Sequence, residues 1–362
     1  MRDLALLFLR MGTSVRVLTT NGNGPGVLLA DTHRETTVES VPIRYCARTF
    51  GDYLSLSFLF NLPSYVGWAD VVCLSGVYCF STWPTLILAR LFQKPIIWLP
   101  HGSLMKWGRR GRRVWLKRAF ERVCSLLLSG KTLMVCLSEL EREQVHEVFP
   151  NLRCIVIQPS IVAASRHGDR AESSGETMRL LFVGRLDPVK GLDGLLRALK
   201  LVNLARGGAD KRPIARLTVA GSGADSYRSY IVGYAAQLGV SDDVEFLGSV
   251  PESSLPELFR SHDVTVAPSH SENFCYAIAE SISHGVPVVV SRGTPWQEVE
   301  RVGCGLCVEN NEEAISEAIQ KLRTLPLKEM GEKGREWMTN QFTMAAEQQR
   351  WSHLFAEMTV NT

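Results

Sequence analysis

Short β-branched apolar runs alternate with helix-period segments along almost the whole chain, and this alternation constrains the fold more than any other feature. Strands are predicted in the first half at Val15–Thr19, Val71–Ser75, Pro95–Leu99, Met134–Leu137 and Cys154–Ile157. In the second half they fall at Leu180–Gly184, Ala215–Gly221, Val244–Leu247, Val264–Ala267, Pro287–Ser291 and Gly305–Val308. Strands separated by helices must run parallel, and parallel sheets are covered on both faces. Val162–Thr177, rich in Ala, Ser, Gly and charge without clear periodicity, reads as a linker. The expected layout is α/β: a first unit over 1–165, a second over 176–341, and a terminal helix over 342–362 carrying Trp351, Leu354 and Phe355 at helical spacing. Two open sheets of this type bind ligands beyond the C-terminal ends of their strands, so a cleft where those ends face each other is expected.

The 362 residues suffice for two full cores. A net charge of only +3 gives no support to wholesale nucleic-acid binding. Nine cysteines without a regular framework point to a reducing compartment, and Cys304-x-x-Cys307 lacks the partner pair of a metal site. No apolar run reaches the roughly 18 residues of a spanning helix, and the apolar start is too short for a signal peptide. The expectation is a cytoplasmic protein.

Two stretches carry chemistry. In Ser269-His270-Ser271-Glu272-Asn273-Phe274-Cys275, followed by a helix to about His284 and a stop at Gly285, Glu272 sits ahead of the helix and Glu280 lies inside it. The amides of Asn273, Phe274 and Cys275 point out of the helix N-terminus, where they suit an anion. The alternative is a capped surface helix with two solvated acids. Upstream, the strand Leu180–Gly184 leads through Arg185 and Lys190 into a helix. Gly184 permits close backbone approach, Arg185 offers a forked donor and Lys190 a point charge. The spacing is not that of a Walker A loop.

Gly184-Arg185-Leu186 with Lys190-Gly191, the Glu272/Glu280 pair, Gly285-Val286-Pro287-Val288-Val289 and Gly303-Cys304-Gly305 together resemble glycosyltransferase family 4, from the first residues to about Met358. The resemblance implies the GT-B fold, with two Rossmann-like units, and sugar transfer with retention of configuration from a UDP- or GDP-linked donor. It implies that His101, after the strand Pro95–Leu99, contacts the donor sugar, and that Glu272 holds sugar hydroxyls and Glu280 the ribose. Gly221 and Gly223 would line the nucleotide side, and Val250 would meet the base. In Thr294-Pro295-Trp296-Gln297-Glu298, Trp296 either touches the donor or packs. The chain departs from the family at Gln158-Pro159-Ser160-Ile161, where the family has Pro-Asn-Gly, and at Cys275, where it has glycine. No D-x-D triplet occurs, so neither a metal nor another cofactor is expected. The rivals are a sugar-nucleotide epimerase of the same fold and a degraded, non-catalytic relative.

Lys106–Arg122 holds Lys106, Arg109, Arg110, Arg112, Arg113, Lys117, Arg118 and Arg122 against one acid, Glu121, with Trp107, Trp115 and Phe120 interleaved. A basic amphipathic helix with aromatics suits an anionic membrane surface. The expectation is peripheral attachment to the inner face of the cell membrane and a lipid-linked acceptor, as in lipopolysaccharide, O-antigen or exopolysaccharide assembly. A solvated helix face or an RNA patch is the alternative. Finally, Leu4–Met11 reads as the end of a helix, Gly12 as its stop and Ser14–Thr20 as the next strand. Family 4 chains begin one strand, one glycine loop and half a helix earlier. The expectation is that this sequence starts late, leaving two inner strands unpaired or closed on each other.

Overall fold

The computed structural model describes residues 2–23, 26–51, 54–111, 114–161, 177–205 and 212–360. Its contacts divide the chain into two units, Met1–Ile157 with Glu347–Thr362, and Gln158–Ala346. The expected linker at 162–177 lies, apart from Thr177, outside the described residues.

The first unit contains α1 (Arg2–Arg10), β1 (Val17–Thr20), β2 (Gly22–Asn23), β3 (Gly26–Val27), β4 (Thr36–Val38), β5 (Val41–Cys46), α2 (Leu56–Trp68), β6 (Val72–Ser75), α3 (Thr82–Leu91), β7 (Ile96–Leu99), α4 (Val114–Leu127), β8 (Thr132–Cys136), α5 (Glu139–His146) and β9 (Arg153–Val156). Strands β6-β7-β8-β9 form a parallel sheet in chain order. Its residues alternate between two cores, as a sheet buried on both faces requires. Leu74, Trp98 and Met134 pack with Phe58, Leu62 and Val66 of α2, while Ile97, Leu99, Leu133 and Val135 pack with Leu7 and Phe8 of α1.

A second sheet, β1-β5-β4, lies in the same unit and contributes Leu18 and Cys46 to the α2 core. The β4–β5 hairpin is absent from the sequence reading. Its two turn residues, Glu39 and Ser40, both adopt positive φ (50° and 70°), the geometry of a tight hairpin turn usually written with Asn-Gly. Arg2 holds this turn through two 2.6 Å bonds to the Glu39 carboxylate. Pro42 hides the strand further, but it lies one position before the β1 pairing begins at Val17↔Ile43. β1 and β6 do not pair with each other, and among the described residues no strand pairs with the outer edge of either.

The second unit contains β10 (Met178–Val183), α6 (Leu192–Leu204), β11 (Ala215–Ala220), α7 (Asp225–Leu238), β12 (Val244–Gly248), α8 (Leu255–Arg260), β13 (Val264–Ala267), α9 (Tyr276–Ser283), β14 (Val288–Ser291), α10 (Val299–Val302), β15 (Gly305–Val308), α11 (Glu312–Leu322), α12 (Leu327–Gln341) and the start of α13 (Met344–Val360). Its sheet is wholly parallel in the order β12-β11-β10-β13-β14-β15. The strand order reverses between β10 and β13, and such a switch point is where doubly wound sheets open a ligand crevice. The expected strands agree with those observed to within two residues. Most of α13 belongs to the first unit, where Trp351, Leu354 and Met358 join the Phe8 core.

Candidate functional site

Five loops leave the C-terminal ends of neighbouring strands in the second unit. After β10, Asp187 caps a single turn by accepting the Val189 N–H at 3.0 Å, which sets Lys190 in place. Gly191 follows at φ +67°, and a Cβ there would lie 2.1 Å from the Pro268 carbonyl oxygen of the next loop. After β13, Glu272 turns inward and is only 9% exposed. Its Oε1 accepts from the Lys190 ammonium and from Ser269 Oγ at 2.9 Å, and its N–H donates to the Gly293 carbonyl at 2.9 Å. Residues separated by 82 positions thus meet at the switch point of the sheet. Oε2 of Glu272 is left without a partner among the described residues.

The neighbouring loops pack through glycine. The Gly221 N–H donates to the Gly248 carbonyl at 2.7 Å, and a Cβ on Gly221 would fall 1.8 Å from the Gly184 carbonyl oxygen. A Cβ on Gly223 would lie 2.1 Å from the Leu186 carbonyl oxygen. A Cβ on Gly184 would meet only ordinary contacts, the nearest at 3.8 Å on the Phe182 ring. Its own chain therefore does not demand glycine there. Arg185 is 69% exposed and lies 3.5 Å from Asp187. Val250 is half-buried behind Gly248.

The turn into α9 holds the clearest departure from ordinary backbone. Cys275 is buried, yet it adopts φ +68°, ψ +72°, a region L residues avoid and glycine enters freely. Its conformation accounts for a glycine preference at this place. Burial pushes the Cys275 thiol up to about 12, so it remains protonated at neutral pH. The N–H groups of Asn273, Phe274 and Cys275 find no acceptor among the described residues, and they remain available to an anion. The Phe274 side chain is no part of the site. It packs among Trp296, Tyr276 and Phe342. Trp296 settles the same way, being 2% exposed with its indole N–H donated to the Phe274 carbonyl. Glu280, half-buried on α9, is held above the ordinary carboxylate range by burial and then by Glu252.

The structure therefore brings together Gly184, Arg185, Lys190, Gly221, Gly223, Glu272, the Asn273–Cys275 amides and Glu280 at one end of one sheet. Ser269 and Gly293 complete it and were missed by the sequence reading. The signal for Ser269 was its place three residues before Glu272. That for Gly293 was a Cβ-free position two residues after β14, where a Cβ would lie 2.4 Å from the Ser269 carbonyl oxygen. Among the described residues no group of three or more His, Cys, Asp or Glu is placed to hold a metal ion, and no helix is long and apolar enough to cross a membrane.

The remaining candidates belong to the first unit. His101 follows β7, is exposed and adopts φ +49°. Its turn is anchored by the buried carboxylate of Glu141, which accepts from the N–H groups of Gly102 and Leu137, the latter at 2.8 Å. The basic segment is not one helix, since turns and a bend occupy 101–109 and α4 begins at Val114. Arg112 and Arg113 lie outside the described residues. Arg109 is not a free surface charge but makes two 3.0 Å bonds to Glu121, and Lys117 donates to the Gly108 carbonyl. Lys106 pairs with Glu147 at 2.9 Å, while Arg110 and Arg118 stay exposed.

Two family models match the chain, "Glycosyl transferase 4-like domain" over residues 1–160 and "Glycosyl transferases group 1" over 168–337. A D-inositol 3-phosphate glycosyltransferase from Streptosporangium roseum is 36% identical over 149 residues, covering 41% of this chain and 34% of that protein. The chain thus matches only about a third of that relative's length. Among solved structures, sucrose-phosphate synthase from Thermosynechococcus elongatus superposes with a TM-score of 0.80 at 18% identity, covering 100% of this chain and 93% of that one. HepE from Anabaena, in complex with UDP-glucose, gives 0.73 at 16% identity, covering 98% and 95%. Likeness at this identity establishes the fold, which is GT-B.

Proposed function

Because this chain belongs to the group 1 glycosyltransferases, we propose that it transfers a sugar, with retention and without a metal, from a UDP- or GDP-linked donor to a lipid-linked or polysaccharide acceptor in cell-surface glycan assembly. The observation that carries the reading is the Lys190–Glu272 pair at the strand-order switch, beside three unclaimed amides. Lys190 and Ser269 fix Oε1 of Glu272 and leave Oε2 to accept from a sugar hydroxyl. Arg185 and the Asn273–Cys275 amides supply the positive potential that a departing diphosphate needs. Glu280 accepts from the ribose. The bond from the anomeric carbon to the phosphate oxygen breaks, and the acceptor oxygen bonds to that carbon on the same face. The acceptor proton leaves with the nucleoside diphosphate. Support for UDP comes from the neighbour described with UDP-glucose.

Attachment to the inner face of an anionic membrane is part of the proposal. On α4, Trp115, Ala119, Val123 and Leu126 recur at one-turn spacing and all are exposed, Trp115 by 69% and Leu126 by 78%. Arg118 and Arg122 flank the stripe. Trp83 of α3 stacks on Phe120 at 4.7 Å, and Ile87 and Leu91 of α3 are exposed as well. Exposed apolar side chains edged by cations fit an interfacial helix.

Release of nucleoside diphosphate from sugar nucleotides tests the transfer, and an epimerised donor would sink it. Flotation with anionic liposomes tests the membrane surface. The parent should float at low salt, and Trp115→Glu with Leu126→Glu should not. Equal flotation of both refutes the assignment.

A further inference from the structure

A cleft of about 260 Å³ opens in the first unit between the turns after β7 and the start of α4, lined by Lys106, Arg109, Arg110, Val114, Lys117, Arg118 and Glu121. Five cations there face one carboxylate. The floor is built rather than solvated. Glu121 is 6% exposed and takes both 3.0 Å bonds from Arg109 together with the Tyr78 hydroxyl proton. The Lys117 ammonium is pinned by the Gly108 carbonyl and lies 5.1 Å from the centre of the Tyr78 ring. Lys106 is balanced by Glu147. Among the described residues no carboxylate pairs with Arg110, Lys117 or Arg118, and Arg110 leans on the Trp107 ring 5.5 Å away. Forked and point cations left without a carboxylate in one concavity match an oxyanion with many acceptor oxygens. Apolar surface begins at the rim: Val114 lines the cleft, and the next two residues, Trp115 and Leu116, are exposed.

We propose that this cleft holds the phosphate or diphosphate group of an amphiphile, with its apolar part lying along the exposed face of α4. The inference rests on the membrane-associated transferase reading and adds to it a defined anion site remote in sequence from the donor loops. Phospholipid headgroup, lipid diphosphate and free phosphate share the chemistry, so the probes separate them. Isothermal titration of the whole chain would use geranyl diphosphate and inorganic pyrophosphate, and flotation would use phosphatidylcholine vesicles with and without phosphatidic acid. The comparison protein is Arg110→Gln with Arg118→Gln. Both positions are exposed, and an unchanged melting temperature confirms its fold.

The parent should bind geranyl diphosphate at one site, at least about tenfold more tightly than pyrophosphate, and float only with phosphatidic acid. The variant should lose about tenfold or more in geranyl diphosphate affinity, as expected for lost charged hydrogen bonds. Its nucleotide binding and donor hydrolysis should be unaltered. Equal affinity for geranyl diphosphate and pyrophosphate would overturn the amphiphile, and unchanged binding by the variant would overturn the site. A parent that binds geranyl diphosphate but never releases nucleoside diphosphate would sink the transferase reading and leave the anion site standing.

Discussion

Lys190→Met tests whether the central pair is a strut as well as a binding device. The two side chains are 20% and 10% exposed, so neither charge is well hydrated. Breaking a fully buried pair costs about 3–5 kcal/mol, mostly from the charge left behind. Here Ser269 still donates to Glu272 and the site is partly open, which brings the expected loss to about 2–3 kcal/mol. For a unit of this size that corresponds to about 4–12 °C in melting temperature. Adding Glu272→Gln removes the stranded charge and keeps the shape, so the double variant should recover most of the loss. Nucleotide-sugar binding should recover in neither. Differential scanning calorimetry measures the first quantity and titration with UDP-glucose the second. A Lys190→Met variant that melts with the parent, or a double variant no more stable than the single, would refute the strut.

Gly221→Ala forces a Cβ to within 1.8 Å of the Gly184 carbonyl oxygen at φ +145°, and should cost the second unit about 3 kcal/mol or more, read as a lower urea midpoint. Cys275→Val should destabilise more than Cys275→Ala, by about 1–2 kcal/mol, because a β-branched residue fits a left-handed backbone worst; the reverse order in urea denaturation would contradict the strain argument. Glu280 titrates above its ordinary value of 4.5 in the folded protein, so its ionisation lowers stability once pH exceeds the raised value, and this cost vanishes below the unfolded value. Glu280→Gln should therefore raise the melting temperature of the ligand-free protein at pH 8 and leave it unchanged near pH 4, while weakening donor binding; no gain at pH 8 would refute the assignment.

Strands buried on both faces, such as Val264–Ala267 and Val288–Ser291, were legible because continuous apolar runs have few other homes. The β4–β5 hairpin was not, since Glu39-Ser40 adopts a turn that its side chains do not advertise. The site divides in the same way. Lys190 and Glu272 stood out by residue type and loop position. That they touch is a fact of strand order, and that Ser269 and Gly293 hold the carboxylate is a fact of loop packing. Trp296 was ambiguous because an aromatic beside a ligand loop and an aromatic under it have the same sequence signature. The row of cations at 106–118 was visible. The partition into pinned and free charges depends on Glu121 and Glu147 lying in the right places.

The terminal helix α13 ties the completion of the first unit to the order of synthesis. Trp351 and Phe355 close on Phe8 at centroid distances of 4.9 Å each, and Arg153 meets Glu357 at 2.7 Å. These contacts join residues separated by most of the polypeptide. A ribosome delivers every strand of the first sheet long before the helix that caps the Phe8 core. The unit made first is therefore finished last, and while the second unit is emerging, Phe8, Ile97 and Leu99 lack part of their cover. That interval is when the nascent chain is most open to capture by a chaperone or by another copy of itself.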